Sequence, residues 1–267
     1  MLTCSALTVN VDGRPLVRDL TFNLAAGDVI AVLGPNGVGK TLTMHTLAGL
    51  RPPGRGSILL GGEVMGQLKR RQLAQRLGLL LQDDAESFPA TTLETTLMGR
   101  HPHLSGTGTE SADDLARARA SLTAMGLDGL DNRLVSTLSG GERRRLALAR
   151  LLTQDPGVLL LDEPVNHLDP RHQIIVLDHV GALARAGHGV IMTLHDPNLA
   201  LRFANHALLL FPDGTWLLDT VRAVLTPGNL SRLFATPYER YVSDRGTVAL
   251  LPACLPATAL DDPQHGG

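Results

Sequence analysis

Eight consecutive residues, Gly34-Pro35-Asn36-Gly37-Val38-Gly39-Lys40-Thr41, follow the apolar run VIAVL and precede a helix-compatible stretch to Leu50. They satisfy G-x-x-x-x-G-K-[ST], and they do so in the strand-then-helix context that gives the pattern its physical meaning. Glycines let the backbone curl so that successive N–H groups point inward, and the helix start adds the positive end of its dipole. The product is a cradle for phosphate oxygens. Lys40 is expected to reach the β- and γ-phosphates of a nucleotide, and Thr41 to offer its hydroxyl to Mg²⁺.

A second constellation supplies negative charge. The run VLLLD ends in Asp162-Glu163-Pro164, which sets two adjacent carboxylates at the carboxyl end of a strand, where parallel sheets present their ligand sites. Neighbouring side chains on a strand leave in opposite directions. Asp162 can therefore enter the Mg²⁺ sphere while Glu163 orients and deprotonates an attacking water, the division of labour that phosphoryl transfer to water requires.

These groups need a scaffold, and the chain spells one out. VIAVL at 29–33, VLLLD at 158–162 and VIMTL at 190–194 are almost unbroken hydrophobic runs, the pattern of strands buried on both faces of a parallel sheet. Helical stretches separate them, so an α/β fold follows. Residues 5–11, 20–25 and 56–60 mix β-branched and aliphatic residues between glycine-rich turns and read as a small antiparallel group at the start. Residues 111–125 open on a Ser cap and carry Leu115, Ala118, Leu122 and Met125 at helical spacing, and 140–154 form a second amphipathic helix. The stretch 84–150 is thus expected to be a helical lobe inserted into a core made of 1–83 and 151–253. Pro212-Asp213-Gly214 between ALLLF and TWLLD marks a hairpin, LTPGNLSRLFA a short helix, and 254–267 reads as a disordered tail.

Composition narrows the class. With 267 residues, 43% of them hydrophobic, the chain can bury one substantial core with a smaller lobe beside it. A formal charge of −2, with no basic run beyond Arg143-Arg144-Arg145, argues against nucleic acid as a partner. Cys4 and Cys254 stand far apart without metal-ligand spacing, which fits a reducing cytoplasm. The apolar runs are too short to cross a bilayer, so any membrane involved is spanned by another chain. Of ten histidines, only His195, at the end of VIMTL, has a position that suggests chemistry; His101 and His103 flank Pro102 in a loop and are not read as metal ligands.

Leu138-Ser139-Gly140-Gly141-Glu142 precedes the Asp162-Glu163 strand, and it resembles the LSGGQ signature of ATP-binding cassette (ABC) ATPases. Gln82 after LGLLL resembles the Q-loop glutamine, Asn166-His167-Leu168-Asp169 the D-loop, and His195 the switch histidine. The six motifs stand in family order from 34 to 196, and the resemblance covers nearly all of the chain. It implies a P-loop NTPase (RecA-like) core with a mostly parallel sheet, an N-terminal antiparallel β subdomain and an inserted α-helical subdomain, all within one domain, 1–253. It also implies ATP and Mg²⁺ as cofactors, with Gln82 joining Thr41 and Asp162 near the metal, and His195 and Gln82 acting beside Glu163.

In the family the signature completes the site of the opposite subunit. One set of motifs per chain then implies a homodimer with two ATP molecules sandwiched between Ser139, Gly140, Gly141 and Asp169 of one copy and the phosphate loop of the other, an isologous arrangement. On chemistry alone, Ser139 and the two glycines before a helix can cap a γ-phosphate or serve as a plain helix N-cap. Three departures stand out: Val11 where an aromatic usually stacks on adenine, Leu42 where a second hydroxyl is common, and Glu142 for glutamine.

The segment Gly99-Arg100-His101-Pro102-His103 and the later His195-Asp196-Pro197-Asn198-Leu199-Ala200 are similar to stretches in the ATPases of importers for siderophore iron, haem and cobalamin. The resemblance implies a peripheral subunit on the cytoplasmic face of the inner membrane. It docks on permease subunits through residues 84–104 and works indirectly with a substrate-binding protein. Rival readings are an importer ATPase for another substrate, a non-transport ABC ATPase, which lacks here the coiled coil or second cassette it would need, and a small-molecule kinase, which would lack the signature.

Overall fold

The computed structural model describes residues 1–81, 89–104 and 108–253. In chain order its elements are β1 (Leu2–Val11), β2 (Arg14–Leu24), β3 (Val29–Leu33), α1 (Lys40–Leu47), β4 (Arg55–Leu60), β5 (Glu63–Val64), α2 (Arg70–Arg76) and β6 (Leu77–Leu80). There follow α3 (Thr92–Leu97), α4 (Ala112–Ala124), α5 (Gly140–Gln154), β7 (Val158–Leu161), α6 (Pro170–Arg185), β8 (Gly189–Thr193) and α7 (Pro197–Phe203). The last part holds β9 (His206–Leu210), β10 (Trp216–Thr220), α8 (Val221–Val224), α9 (Pro227–Phe234), β11 (Tyr238–Val242) and β12 (Val248–Pro252).

The central sheet runs β10-β9-β3-β8-β7-β6. Every pairing in it is parallel except that of the edge strand β10 with β9. All residues of β3, β7 and β8 are buried, as unbroken apolar runs predict for strands covered on both sides. Alternation sorts their side chains. Ile30, Val32, Leu160 and Ile191 pack with Met44 and Leu47 of α1 and with the inner face of the antiparallel sheet β2-β1-β4-β5. Val29, Ala31, Leu33, Leu159, Val190 and Met192 face the other way, against α5, α6, α7 and α9. The sheet is thus the middle layer between two apolar cores.

Helix α4 begins with a reciprocal cap: Asp114 N donates to Ser111 Oγ at 3.2 Å, and Ser111 N donates to Asp114 Oδ2 at 3.0 Å. Asp114 Oδ1 also accepts from Arg100 Nε at 2.6 Å, and Arg100 reaches the Thr153 carbonyl at the end of α5. These bonds, the Ser111 backbone first, then its hydroxyl and Arg100, hold the Asp114 carboxyl down at about 2. Gly99 fits the same seam because a Cβ there would stand 2.3 Å from the Arg150 carbonyl. The Gly99–His103 segment is therefore built into the helical lobe, with His103 Nε2 at 2.8 Å from the Gln154 carbonyl.

The hairpin β9–β10 and the helix α9 stand where the sequence puts them. The second hairpin, β11–β12, gives no such signal in the sequence; it is fastened to α7 by Asn198, which accepts from Leu250 N at 2.8 Å and donates to Leu250 O at 3.1 Å. The tail 254–267 lies outside the described residues, as do Gln82 and the first part of the 84–104 stretch. Among the described residues no helix is long and apolar enough to cross a membrane.

Candidate active site

The phosphate loop leaves β3 at Gly34 and enters α1 at Lys40. Gly39, the residue before the helix, has φ 104°, a left-handed conformation that favours glycine. A Cβ at Gly39 would meet Leu16 at 3.2 Å, so an aliphatic side chain borders the loop on the β2 side, close to the turn that follows Val11. No side chain caps α1 and no acid lies in its first turn, which leaves its amide dipoles open to an anion. Lys40 is buried, and its ammonium donates to the Gly34 carbonyl at 2.8 Å and the Pro35 carbonyl at 3.1 Å. Burial draws its pKa below the ordinary lysine value, against the opposing pull of Glu163 and Asp162.

A cleft of about 450 Å³ opens over this loop, lined by Asn36, Gly37, Gly39, Lys40, Thr41, Leu42, Glu163, Asn166 and His195. The loop, one carboxylate and the histidine, far apart in sequence, converge on one space. The parallel sheet does this: β3, β7 and β8 are neighbours, and each delivers its following residues to the same edge.

Asp162 and Glu163 separate as their strand position requires. Asp162 is almost fully buried; its Oδ1 accepts from the Thr193 hydroxyl at 2.7 Å, and its Oδ2 has no hydrogen-bond partner among the described residues. Glu163 has φ 50°, an uncommon left-handed conformation for a residue with a side chain. Its N donates to the same Thr193 Oγ1 at 2.7 Å, its Oε2 accepts from Asn166 Nδ2 at 2.9 Å, and its Oε1 lies 2.7 Å from His195 Nε2. Because a carboxylate only accepts, that last contact places the imidazole proton on Nε2. The Glu163 side chain is one-tenth exposed and that of His195 about half exposed (49%).

Thr193 escapes notice in the sequence, yet it holds both acids at once, donating to one and accepting from the backbone of the other. The available signal is a hydroxyl inside an otherwise apolar buried strand, since such a group must find partners. Asn166 is visible only as part of a loop motif; its grip on Glu163 depends on the tight turn between them, closed by Asn166 N to Glu163 O at 3.2 Å.

The remaining candidates sit elsewhere. Only Ser139 precedes α5; Gly140 and Gly141 already belong to its first turn, not to the loop before it. Ser139 Oγ accepts from Glu142 N at 3.2 Å while Glu142 Oε2 accepts from Ser139 N at 2.7 Å. The Glu142 carboxyl is held below its ordinary value by the Ser139 backbone and hydroxyl bonds, so the glutamate in the signature completes a capping box. Asp169 caps α6, its two oxygens engaged by His172 N at 2.9 Å and His172 Nδ1 at 2.7 Å. These bonds, the His172 backbone first, lower its pKa. Gly141 abuts this loop, a Cβ there standing 3.7 Å from the His167 carbonyl. Ser139, Gly140 and Gly141 thus sit beside the loop that leads to Asp169, and none of the four lines the phosphate cleft.

The ABC transporter family profile matches residues 17–166, more than half of the chain. The hemin import ATP-binding protein HmuV of Myxococcus xanthus is 41% identical over 230 residues, covering 83% of this chain and 85% of its own. That of Gloeobacter violaceus is 39% identical over 235 residues, covering 85% and 84%. Among solved structures, one described as an inward-facing metal-chelate type ABC transporter superposes with a TM-score of 0.82 at 30% identity, covering 97% of this chain and 98% of the other. A dimeric bacterial ABC transporter cassette shares the fold with a TM-score of 0.72 at 24% identity, over 83% of this chain and 99% of its own. With its phosphate loop, paired acids and histidine gathered at one sheet edge, the chain belongs to the ATP-binding subunits of ABC transporters.

Proposed function

We propose that the chain hydrolyses ATP to drive import of haem or a related iron chelate or cobalamin, as a homodimer bound to permease subunits at the cytoplasmic face of the membrane. The observation that carries the importer reading is the full-length likeness to the metal-chelate type transporter; the hemin import relatives favour haem among the substrates.

The residues fit a magnesium-bound nucleotide. Lys40, the loop amides and the uncapped start of α1 suit the phosphates, and the orphaned, buried Asp162 Oδ2 is the oxygen that a hard cation satisfies. Thr41, Asp162 and Gln82 would hold Mg²⁺, whose charge would neutralise the phosphate oxygens as the terminal bond breaks. Glu163, its carboxylate fixed by Asn166 and His195, accepts the proton of the attacking water. His195 holds that carboxylate in place and is exposed enough to reach the γ-phosphate.

Ser139, Gly140 and Gly141 do not line their own cleft, which supports a twofold dimer in which each copy completes the other's site, with Asp169 at the seam. ATP then favours the closed pair and its hydrolysis removes the bias. Residues 84–104, of which 89–104 are described, are the proposed permease contact through which that change is felt.

The test is genetic. A strain lacking this chain should fail to grow when haem is its sole iron source and recover with the wild-type chain but not with Glu163→Gln. Normal growth on haem combined with failure to take up cobalamin would move the substrate to the corrinoid, and normal uptake of both would overturn the importer reading.

A further inference from the structure

The signature helix carries Arg143-Arg144-Arg145, and the three behave differently. Arg143 turns back to the Leu138 carbonyl at 2.7 Å, and Arg145 reaches the Met125 and Gly126 carbonyls at 2.9 and 2.8 Å. Arg144 alone points into the core, with 8% of its surface exposed. Its guanidinium donates to the carbonyls of Leu81, Asp162 and Glu163, the last at 2.7 Å. Among the described residues, this buried cation ties together main-chain oxygens from the ends of two neighbouring strands.

The placement has a specific effect. The carbonyls of Asp162 and Glu163 flank the two rotatable backbone bonds of Glu163, whose φ of 50° persists only where its surroundings hold it. With the Glu163 amide tied to Thr193 and both flanking carbonyls tied to Arg144, the backbone that aims the carboxylate is fixed on both sides. The same guanidinium also grips Leu81, the residue before Gln82.

We infer that Arg144 is a positioning residue that fixes the aim of Glu163 and links it to the helix begun by Ser139, so that displacement of α5 is transmitted to the base of the same subunit. The inference rests on Glu163 being that base. Lysine keeps the charge but lacks the planar fork that spans several oxygens, and glutamine is shorter and neutral.

The experiment compares ATP hydrolysis by the full-length parent chain, Arg144→Gln, Arg144→Lys and Glu163→Gln. Binding of a fluorescent ATP analogue is measured in parallel, at a temperature where melting curves show every variant folded. Arg144→Gln should lower kcat on the order of 10- to 100-fold through misaim of the base, as small displacements at reacting groups do. KM and analogue binding should stay within about threefold of the parent, the signature of a transition-state effect. Arg144→Lys should recover part of kcat. Should the glutamine variant not fold, the lysine variant carries the same comparison.

Parent-like kcat in the Arg144 variants, with Glu163→Gln inactive, overturns this inference alone. Loss of analogue binding in parallel with kcat also overturns it, because the residue would then act on the fold and not on the base. Undiminished hydrolysis by Glu163→Gln overturns the base assignment and the inference with it.

Discussion

The phosphate cleft and the signature cluster meet chemistry in opposite ways. Around the cleft, functional side chains are held by bonds that cross between elements, Thr193 clasping Asp162 and the Glu163 amide and His195 the Glu163 carboxylate, with local bonds from Asn166 to that carboxylate and from Lys40 to its own loop. Around Ser139 the short bonds are local, the reciprocal pair with Glu142 that any well-capped helix can make, with Arg133 reaching Glu142 Oε1 at 3.5 Å. One region is pre-aimed for a reaction; the other is a capped helix start where, among the described residues, a Cβ on Gly140 would meet nothing within 4 Å. A preorganised base with its phosphate cradle needs a lid of donors, and in the proposed dimer the helix start of a second copy would supply it.

Substitutions at three positions probe this contrast. Thr193→Val should have the largest effect: it strips the buried Asp162 Oδ1 and Glu163 amide of a shared partner, costing about 1–3 kcal/mol of stability and lowering kcat by about 10-fold or more. Thr193→Ser, which keeps the hydroxyl, should stay near the parent in both urea unfolding and hydrolysis. Equal damage by serine and valine would mean that packing, not the hydroxyl, holds the acids.

Gly140→Ala probes the other side. Among the described residues a Cβ there meets nothing within 4 Å, so the helix should gain up to about 1 kcal/mol by the usual alanine preference. Hydrolysis should nevertheless fall by about 10-fold, because in the proposed dimer the added methyl would stand where the partner's phosphate approaches. A variant that is both more stable and fully active would erase the contrast between the regions.

The smallest effect on catalysis is expected at the seam behind the signature helix. Asp114 is held at about 2 by the Ser111 backbone, the Ser111 hydroxyl and Arg100. A folded value below the ordinary carboxylate value makes its contribution complete above about pH 4 and progressively lost as pH falls toward 2. Urea midpoints should therefore drop more for the parent than for Asp114→Asn between pH 7 and pH 3. At pH 7 the variant should be less stable by about 2 kcal/mol while hydrolysing at close to the parent rate. Identical pH dependence in the two would remove Asp114 from the account of acid stability.

What was legible in the sequence follows the same division. The phosphate loop and Asp162-Glu163 are contiguous motifs beside unbroken apolar strands, so both chemistry and scaffold can be read locally. The cap at Ser139 and the helix 140–154 are legible for the same reason. Thr193 and Arg144 are not, because their roles depend on β7 lying between β6 and β8, an order that no short window contains. Gly99 looks like an ordinary loop glycine until α5 is placed against it. The β11–β12 hairpin is missed because its strands are largely exposed and lack clean alternation. Their anchors lie outside the two strands, Asn198 about 50 residues upstream and Ser231 on α9.

The most direct test of the whole account is a paired measurement on Glu163→Gln: phosphate release, and mass by light scattering with and without ATP and Mg²⁺. The account predicts that release falls by about 100-fold or more, since the proton acceptor is gone. It also predicts that the variant accumulates as an ATP-dependent dimer, because binding is kept while the closed pair is no longer discharged. Parent-like release, or a mass that ATP leaves unchanged, would contradict the claim that one copy's base works beneath the other copy's signature helix.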